Sequence, residues 1–346
     1  MDHENAGSPE SSGMWNEAAN VYRKRGLVIV VGAGVSVASG FPTWAQLLRR
    51  LAERCIGSAG AELVEELEKI GFSYPAIAGI IRSNWHSDSG FLEVVREELY
   101  RDFPFFRGLL VLQKREFVDF VKQENSTLRA VAALCAARSA DGKFVPNPLI
   151  HALVNFNLDA VLREYSENRY DVRLLRTIER ASATASSSRI NTYYIHGFLQ
   201  FDDQKIGAPD AEADTIVFTE GEYYDFFGKP FGMFSYTLLH LLREHPCLFI
   251  GLSMIDENLR RLLHYSGSER VRSYEAEGLS HDEACSESLR HFAVLCHTSS
   301  EAVDQAIERS LADLSVRVTW LNKFEELPDR LGQIYSSSGA TWDDVY

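Results

Sequence analysis

What the 346-residue chain lacks narrows its class first. It has no run of about 20 apolar residues, and its longest apolar stretch, Leu27 to Gly34, is strand-sized. A membrane-spanning helix is therefore not expected. Cysteine is sparse: five, at positions 55, 135, 247, 285 and 296. An odd count with no Cys-x-x-Cys pair excludes a zinc ribbon and argues against a disulfide framework. The start, Met-Asp-His-Glu-Asn-Ala-Gly-Ser, has neither the basic and apolar regions of a secretory signal nor the arginines of a transit peptide. Basic residues are outnumbered 35 to 49, giving a net charge of −14. That balance argues against coating nucleic acid over the whole surface, although local arginine clusters exist at Arg49-Arg50, Arg260-Arg261 and Glu269 to Arg272. The Gly-Lys-Ser/Thr of a P-loop, a His-Glu-x-x-His zinc motif and a Gly-x-Ser-x-Gly elbow are all missing. There is no internal repeat. These absences predict a reduced, cytoplasmic, soluble protein with no membrane contact and no sequence-specific nucleic-acid binding.

With 45% hydrophobic and 24% charged residues, the chain is in the globular range. Residues 1–14, rich in Ser, Gly, Glu and Asn, read as a loose tail, and 15–346 as one domain. A helix is expected over Asn16 to Arg25. Leu27-Val28-Ile29-Val30-Val31 reads as a strand covered on both faces, as in a parallel sheet. From about 43 to 140 apolar residues recur at helical spacing (Leu47, Leu48, Leu51; Leu63, Leu67, Ile70; Phe117, Phe120, Val121), which predicts an inserted helical block. Further strands are expected at Leu149 to Val154, Val172 to Leu175, Asn191 to Ile195, Cys247 to Ile250, Phe292 to Cys296 and Val316 to Leu321. Helices are expected at Leu158 to Tyr165, Phe231 to Glu244, Glu257 to His264, Ser299 to Leu314 and Phe324 to Tyr335. Ala181 to Arg189 reads as a Ser/Ala-rich loop, and the polar stretch at about 267–288 as a loop or lid. Alternating strands and helices give an α/β class, a doubly wound, mainly parallel Rossmann-like sheet with an inserted helical subdomain.

Four segments at strand ends could carry chemistry. Gly32-Ala33-Gly34-Val35-Ser36 would let the backbone approach a phosphate, with the next helix aiming its N–H groups at the charge. Val37 stands where a full Gly-x-Gly-x-x-Gly needs glycine, and a ligand-free tight turn is the alternative. In Asn155-Phe156-Asn157-Leu158-Asp159, Asn and Asp could bind ribose hydroxyls or simply cap a helix. His196-Gly197 could offer a general base. Gly251-Leu252-Ser253-Met254-Ile255-Asp256 could meet a phosphate or ribose, or be a turn in which Ser253 or Asp256 caps a helix. The Glu65-Glu66 and Glu97-Glu98 pairs are expected on solvated helix faces.

Together and in this order, these segments resemble the sirtuin family. Gly32-Ala33-Gly34-Val35-Ser36-Val37-Ala38-Ser39-Gly40-Phe41-Pro42 resembles its nucleotide loop, Asn157-Leu158-Asp159 its Asn-hydrophobic-Asp, His196-Gly197 its catalytic His-Gly, and Gly251-Leu252-Ser253 its Gly-x-Ser. The likeness extends from about Val21 to Tyr335. Protein deacetylases of the family follow the proline with Asp-Phe-Arg and carry a four-cysteine zinc ribbon. Here Thr43-Trp44-Ala45 follows Pro42, and no ribbon can be built. Pro-Thr-Trp and residues 251–263 are similar to the zinc-ribbon-less sirtuin-like domains of bacterial antiphage defence. That resemblance implies an NAD hydrolase releasing nicotinamide and ADP-ribose, depleting the infected cell's NAD (abortive infection), and needing no metal. It implies Asn157 and His196 as catalytic residues. It implies Gly32, Ala33, Gly34 and Ser36 near the pyrophosphate, met by the N–H groups of Ala33 and Gly34, with Asp159 at the ribose and Gly251 and Ser253 on the adenosine side. It also implies a homo-oligomer, with a HerA-type ATPase or a short Argonaute as candidate partner. No sensor domain is recognisable, so the trigger is expected from assembly or a separate protein. The competing expectation is a non-hydrolytic NAD or ADP-ribose-binding regulatory module, which would not need a working His196.

Overall fold

The computed structural model describes residues 9–85, 90–106, 113–178, 185–200, 216–228 and 233–346. Along the chain the elements are α1 (Pro9–Arg25), β1 (Leu27–Val31), α2 (Trp44–Ile56), α3 (Gly60–Lys69), α4 (Tyr74–Ser83), α5 (Phe91–Leu99), α6 (Lys114–Glu124), α7 (Ser126–Leu134), β2 (Ala136–Arg138), β3 (Phe144–Pro146), β4 (Ile150–Asn155), α8 (Val161–Tyr170), β5 (Leu175–Ile178), β6 (Ile190–Tyr194), α9 (Glu220–Gly228), α10 (Met233–Glu244), β7 (Cys247–Ile250), α11 (Glu257–Ala276), α12 (His281–Ser288), β8 (His291–Cys296), α13 (Glu301–Ala312), β9 (Val316–Leu321) and α14 (Leu327–Ser336). Seven strands form one sheet in the order β5-β6-β4-β1-β7-β8-β9, and each neighbouring pair is parallel. This is the doubly wound, Rossmann-like α/β architecture expected.

The central strand explains its own composition. All five residues of β1 are buried. Leu27, Ile29 and Val31 join one core cluster with the helical block, α1 and α14, while Val28 and Val30 join the second, with α10 and α11. A strand apolar on both faces needs helices on both faces. The chain leaves β1 for β4 on one side and later crosses to β7 on the other, so the carboxyl ends of β4, β1 and β7 lie side by side. Their ends are level: Val31 pairs with Asn155 and with Ile250, and Asn155 with Tyr194. Each of the four candidate segments therefore begins at the same height, just past the edge of the sheet, where open α/β sheets bind ligands.

Several boundaries are corrected. Residues 1–8 lie outside the described residues, but Pro9–Arg25 is already helix, so the tail reading fails from Pro9; Trp15, Ala18 and Tyr22 bury the stripe that holds the helix down. The polar stretch at 267–288 is not a loop or lid: α11 runs to Ala276 and α12 follows. The buried face of α11 passes from Leu259, Leu262 and Leu263 to Ser266 and Gly267, so its hydrophobic signal fades while the helix continues. Ser280 and Glu283 close a capping box on α12. The strand expected at Val172 to Leu175 lies at Leu175–Ile178. The Ser/Ala-rich loop is described only from 185 on, and the rest of it lies outside the described residues. Within 43–140 the helical block holds six helices among the described residues, α2 to α7, and the antiparallel β2–β3 pair after them, which ends at Pro146, is not expected from the sequence. Glu98 is not solvated: it is buried and bridged by Arg54 at 2.9 Å, since α5 turns that face onto α2.

Candidate active site

The glycine loop is built differently from expectation. No α-helix follows β1 directly; two short 3-10 turns, Ala33–Val35 and Val37–Ser39, come first, and α2 begins at Trp44, capped by Thr43 and Gln46. The backbone N–H groups of Gly32, Gly34, Val35 and Ser36 bond to Ile250, Gly251, Gly32 and Ala33 carbonyls at 2.9–3.0 Å. The N–H of Gly34 is thus committed and is not open to a pyrophosphate, which corrects that part of the expected mode. The glycines serve loop packing instead. A Cβ on Gly34 would meet Gly251 Cα at 2.8 Å, and a Cβ on Gly251, whose φ is +69°, would meet the Val35 nitrogen at 2.7 Å. Two strand-end loops touch backbone to backbone, which only glycine permits.

The helical block clamps these loops. Asn125, buried between α6 and α7, donates to the Val35 carbonyl and to Ser39 Oγ, both at 2.9 Å. Tyr100, just after α5, donates its hydroxyl to the Leu199 carbonyl at 2.6 Å and accepts from the Ala160 N–H at 3.0 Å. The first fixes the loop after β1; the second fixes the segments after β4 and β6.

The loops enclose a cavity of about 630 Å³, inside the ~300–1,000 Å³ of small-molecule sites. Gly32, Ala33, Gly34, Ser36, Asn157, Asp159, His196, Gly251 and Ser253 all line it. Every candidate site residue is therefore brought to one place. Asn157 donates its side-chain amide to Ser36 Oγ at 3.3 Å, and the Ser36 hydroxyl lies near enough to Asp159 to favour its charged form. Asp159 Oδ1 accepts from the Val161 N–H, the first of α8, at 3.1 Å, and the residue also lines the cavity. Burial pushes the Asp159 carboxyl up to about 6, with the Ser36 hydroxyl opposing. His196 is 2% exposed. Its ring lies between Phe156 and Tyr223, centroids 5.2 and 5.3 Å away. Among the described residues neither ring nitrogen has a hydrogen-bond partner, nor does Asn157 Oδ1. Unpaired polar atoms in a buried wall are costly, and an incoming polar ligand or water would satisfy them. Burial drives the His196 pKa below 6.5, while the charge of Asp256 pulls it back up. The imidazole is thus neutral at pH 7 and can accept a proton.

Part of the wall was not foreseen. The aromatic rings of Trp44 and Tyr74 from the helical block, and of Tyr223 from α9, line the cavity. Trp44 packs on Phe218 with centroids 5.1 Å apart. The α9 helix was missed, although Thr219-x-x-Glu222 has capping-box spacing and Glu222 indeed accepts from the Thr219 N–H at 2.7 Å. Asp256, foreseen only as a cap, caps α11 through the Leu259 N–H at 2.8 Å and also lines the cavity.

Residues 151–315 match the SIR2-like domain. The match supports a sirtuin-like family and, in general terms, an NAD-linked activity. It takes in Asn157, Asp159, His196, Gly251 and Ser253, and stops short of the β1 loop. The fold supplies what the matched segment lacks, because Gly32 to Ser36 closes the same cavity. The SIR2-like match is narrower than the Val21 to Tyr335 span of the motif resemblance. No curated protein matches the chain. Among the described residues no group of three or more His, Cys, Asp or Glu side chains is placed to hold a metal ion, and no helix is long and apolar enough to cross a membrane.

Proposed function

We infer that the chain is an NAD glycohydrolase that cleaves NAD to nicotinamide and ADP-ribose. The observation that carries this reading is the imidazole of His196, buried, neutral and unpaired among the described residues, in one cavity of nucleotide-binding size with the Ser36–Asn157 hydrogen bond and Asp159. NAD is the substrate. Its nicotinamide–ribose bond breaks through an oxocarbenium-like state, as in other glycosyl cleavage. Nicotinamide leaves as a neutral base with the bonding electron pair, so no metal is needed to activate it. Water adds to the ribose carbon, and its proton passes to the free ring nitrogen of His196. Asn157, through its open Oδ1, and Asp159 orient the ribose and the water. Ser253, exposed at the cavity edge, and Gly251 bound the adenosine side.

The role in antiphage defence by NAD depletion rests on the resemblance of Pro42-Thr43-Trp44 and residues 251–263 to that branch. So does control through homo-oligomer assembly or a partner such as a HerA-type ATPase or a short Argonaute; cytoplasmic residence rests on the sparse cysteines with no Cys-x-x-Cys pair. The test is NAD consumption by the purified chain, alone and with candidate partners, beside His196→Ala. Nicotinamide release abolished in the variant supports the hydrolase. Absence of turnover in every assembly, with measurable NAD or ADP-ribose binding, would replace it with a regulatory binding module.

A further inference from the structure

The proposed chemistry asks a buried imidazole to become an imidazolium during turnover. Charging a group that is 2% exposed is expensive unless an opposite charge faces it. Among the described residues, the charged and titratable groups that line the cavity with His196 are Tyr74 from α4, Asp159 from the β4 loop, Glu220, Tyr223 and Tyr224 from α9, and Asp256 and Glu257 at the start of α11. Tyr223 links two of the parties. Its ring packs against His196 at 5.3 Å, and its hydroxyl donates to Asp256 Oδ2 at 3.3 Å. The other carboxylate oxygen of Asp256 accepts from the Leu259 N–H at 2.8 Å. Both oxygens are thus held, from two different elements.

We propose that Asp256, oriented by Tyr223 and by the first turn of α11, is the positioning carboxylate that stabilises the protonated form of His196. This rests on the hydrolase reading for its place in turnover, but not for its physical content. Burial and the adjacent carboxylate keep the Tyr223 hydroxyl protonated, so it remains a donor to Asp256. Among the described residues, the charge of Asp256 is the one that acts against burial at His196. A helix cap alone would not need a hydroxyl donor from α9, and it would not need to face the cavity.

The test exploits the fact that Asn and Ser cap helices as well as Asp does. Asp256→Asn and Asp256→Ser keep the cap and remove the charge. The readout is the titration of the His196 ring by NMR in the full-length chain with labelled histidine, its signal assigned by its loss in His196→Ala. Asp282→Asn, on the exposed face of α12, is the control. The apparent pKa of His196 should fall by about one unit or more in both Asp256 variants, a tenfold loss of proton affinity, and stay unchanged in the control. Nicotinamide release should lose roughly tenfold in kcat, the factor set by that loss of proton affinity, with KM little altered, the pattern of an interaction made in the transition state. An unmoved His196 titration in variants that melt like the parent would overturn the proposal. The NMR measurement contains no NAD, so it stands or falls separately from the hydrolase reading.

Discussion

The Asn157 amide donates to Ser36 Oγ across 3.3 Å, although the two residues are 121 positions apart in sequence. That bond ties the loop after β1 to the loop after β4. Ser36→Ala should cost about 1 kcal/mol of stability, the typical worth of a buried hydrogen bond. It should also reduce nicotinamide release well beyond what that small loss of folded protein explains. Urea unfolding beside an NAD assay separates the two effects, and parent-like turnover would remove the bridge from the site.

His196→Ala should lower NAD turnover by ~100- to 10,000-fold, the usual range for losing general-base help, and Asn157→Ala should also lower it strongly, through lost orientation of the ribose and the water. Both variants should still fold. Wild-type rates in both would reject the assignment of this cavity as the hydrolytic centre.

Asp159 predicts a pH signature. Its folded pKa of about 6 lies above the ordinary value of 3.8. Between those values the folded chain holds a proton that the unfolded chain has released. Stability from this group is therefore fully present below about pH 4 and is lost as pH rises through about 6. Asp159→Asn removes the buried charge and should raise stability at pH 7.5 by roughly 1–3 kcal/mol, since one pKa unit is about 1.4 kcal/mol. The gain should shrink toward pH 4 while NAD turnover falls. Denaturant unfolding of both proteins at pH 4.5 and 7.5 is the check, and a gain that does not depend on pH would contradict the buried-charge account.

Gly251→Ala should be among the most damaging small changes. The residue has φ +69°, and a Cβ would stand 2.7 Å from the Val35 nitrogen. Backbone strain alone costs ~1–3 kcal/mol, and relieving the clash would pull the β1 loop from the β7 loop. We expect a lowered unfolding midpoint together with weakened NAD binding by calorimetry. A parent-like midpoint would mean that the loops part without cost.

Much of the sheet was legible because burial on both faces writes itself as unbroken apolar runs. Cys247–Ile250 and Val316–Leu321 coincide with the expected strands. What escaped was structure whose signal is not hydrophobic. The second half of α11 buries Ser266 and Gly267 where leucines would have marked the stripe. For α9 and α12 the informative residues were the capping pairs Thr219/Glu222 and Ser280/Glu283, bonded across single turns. Glu98 looked like one of many surface acids until α5 was placed against Arg54 of α2.

By itself the sequence determined the four strand-end segments, their order and the side chains they offer. Those are properties of local pattern: an apolar run that must be a strand, followed by small or polar residues that must end it. Only the tertiary structure decided what those residues do for one another. Strands β4, β1 and β7 are far apart along the chain, and their ends become neighbours only because the crossover to β7 puts them side by side with level ends. That arrangement turned Gly34 and Gly251 into a backbone contact and made Ser36 a bridge. It also buried His196 with no hydrogen-bond partner among the described residues, packed Tyr223 against its ring and joined Tyr223 to Asp256. Such pairings are set by distances in space, which local patterns in sequence do not encode.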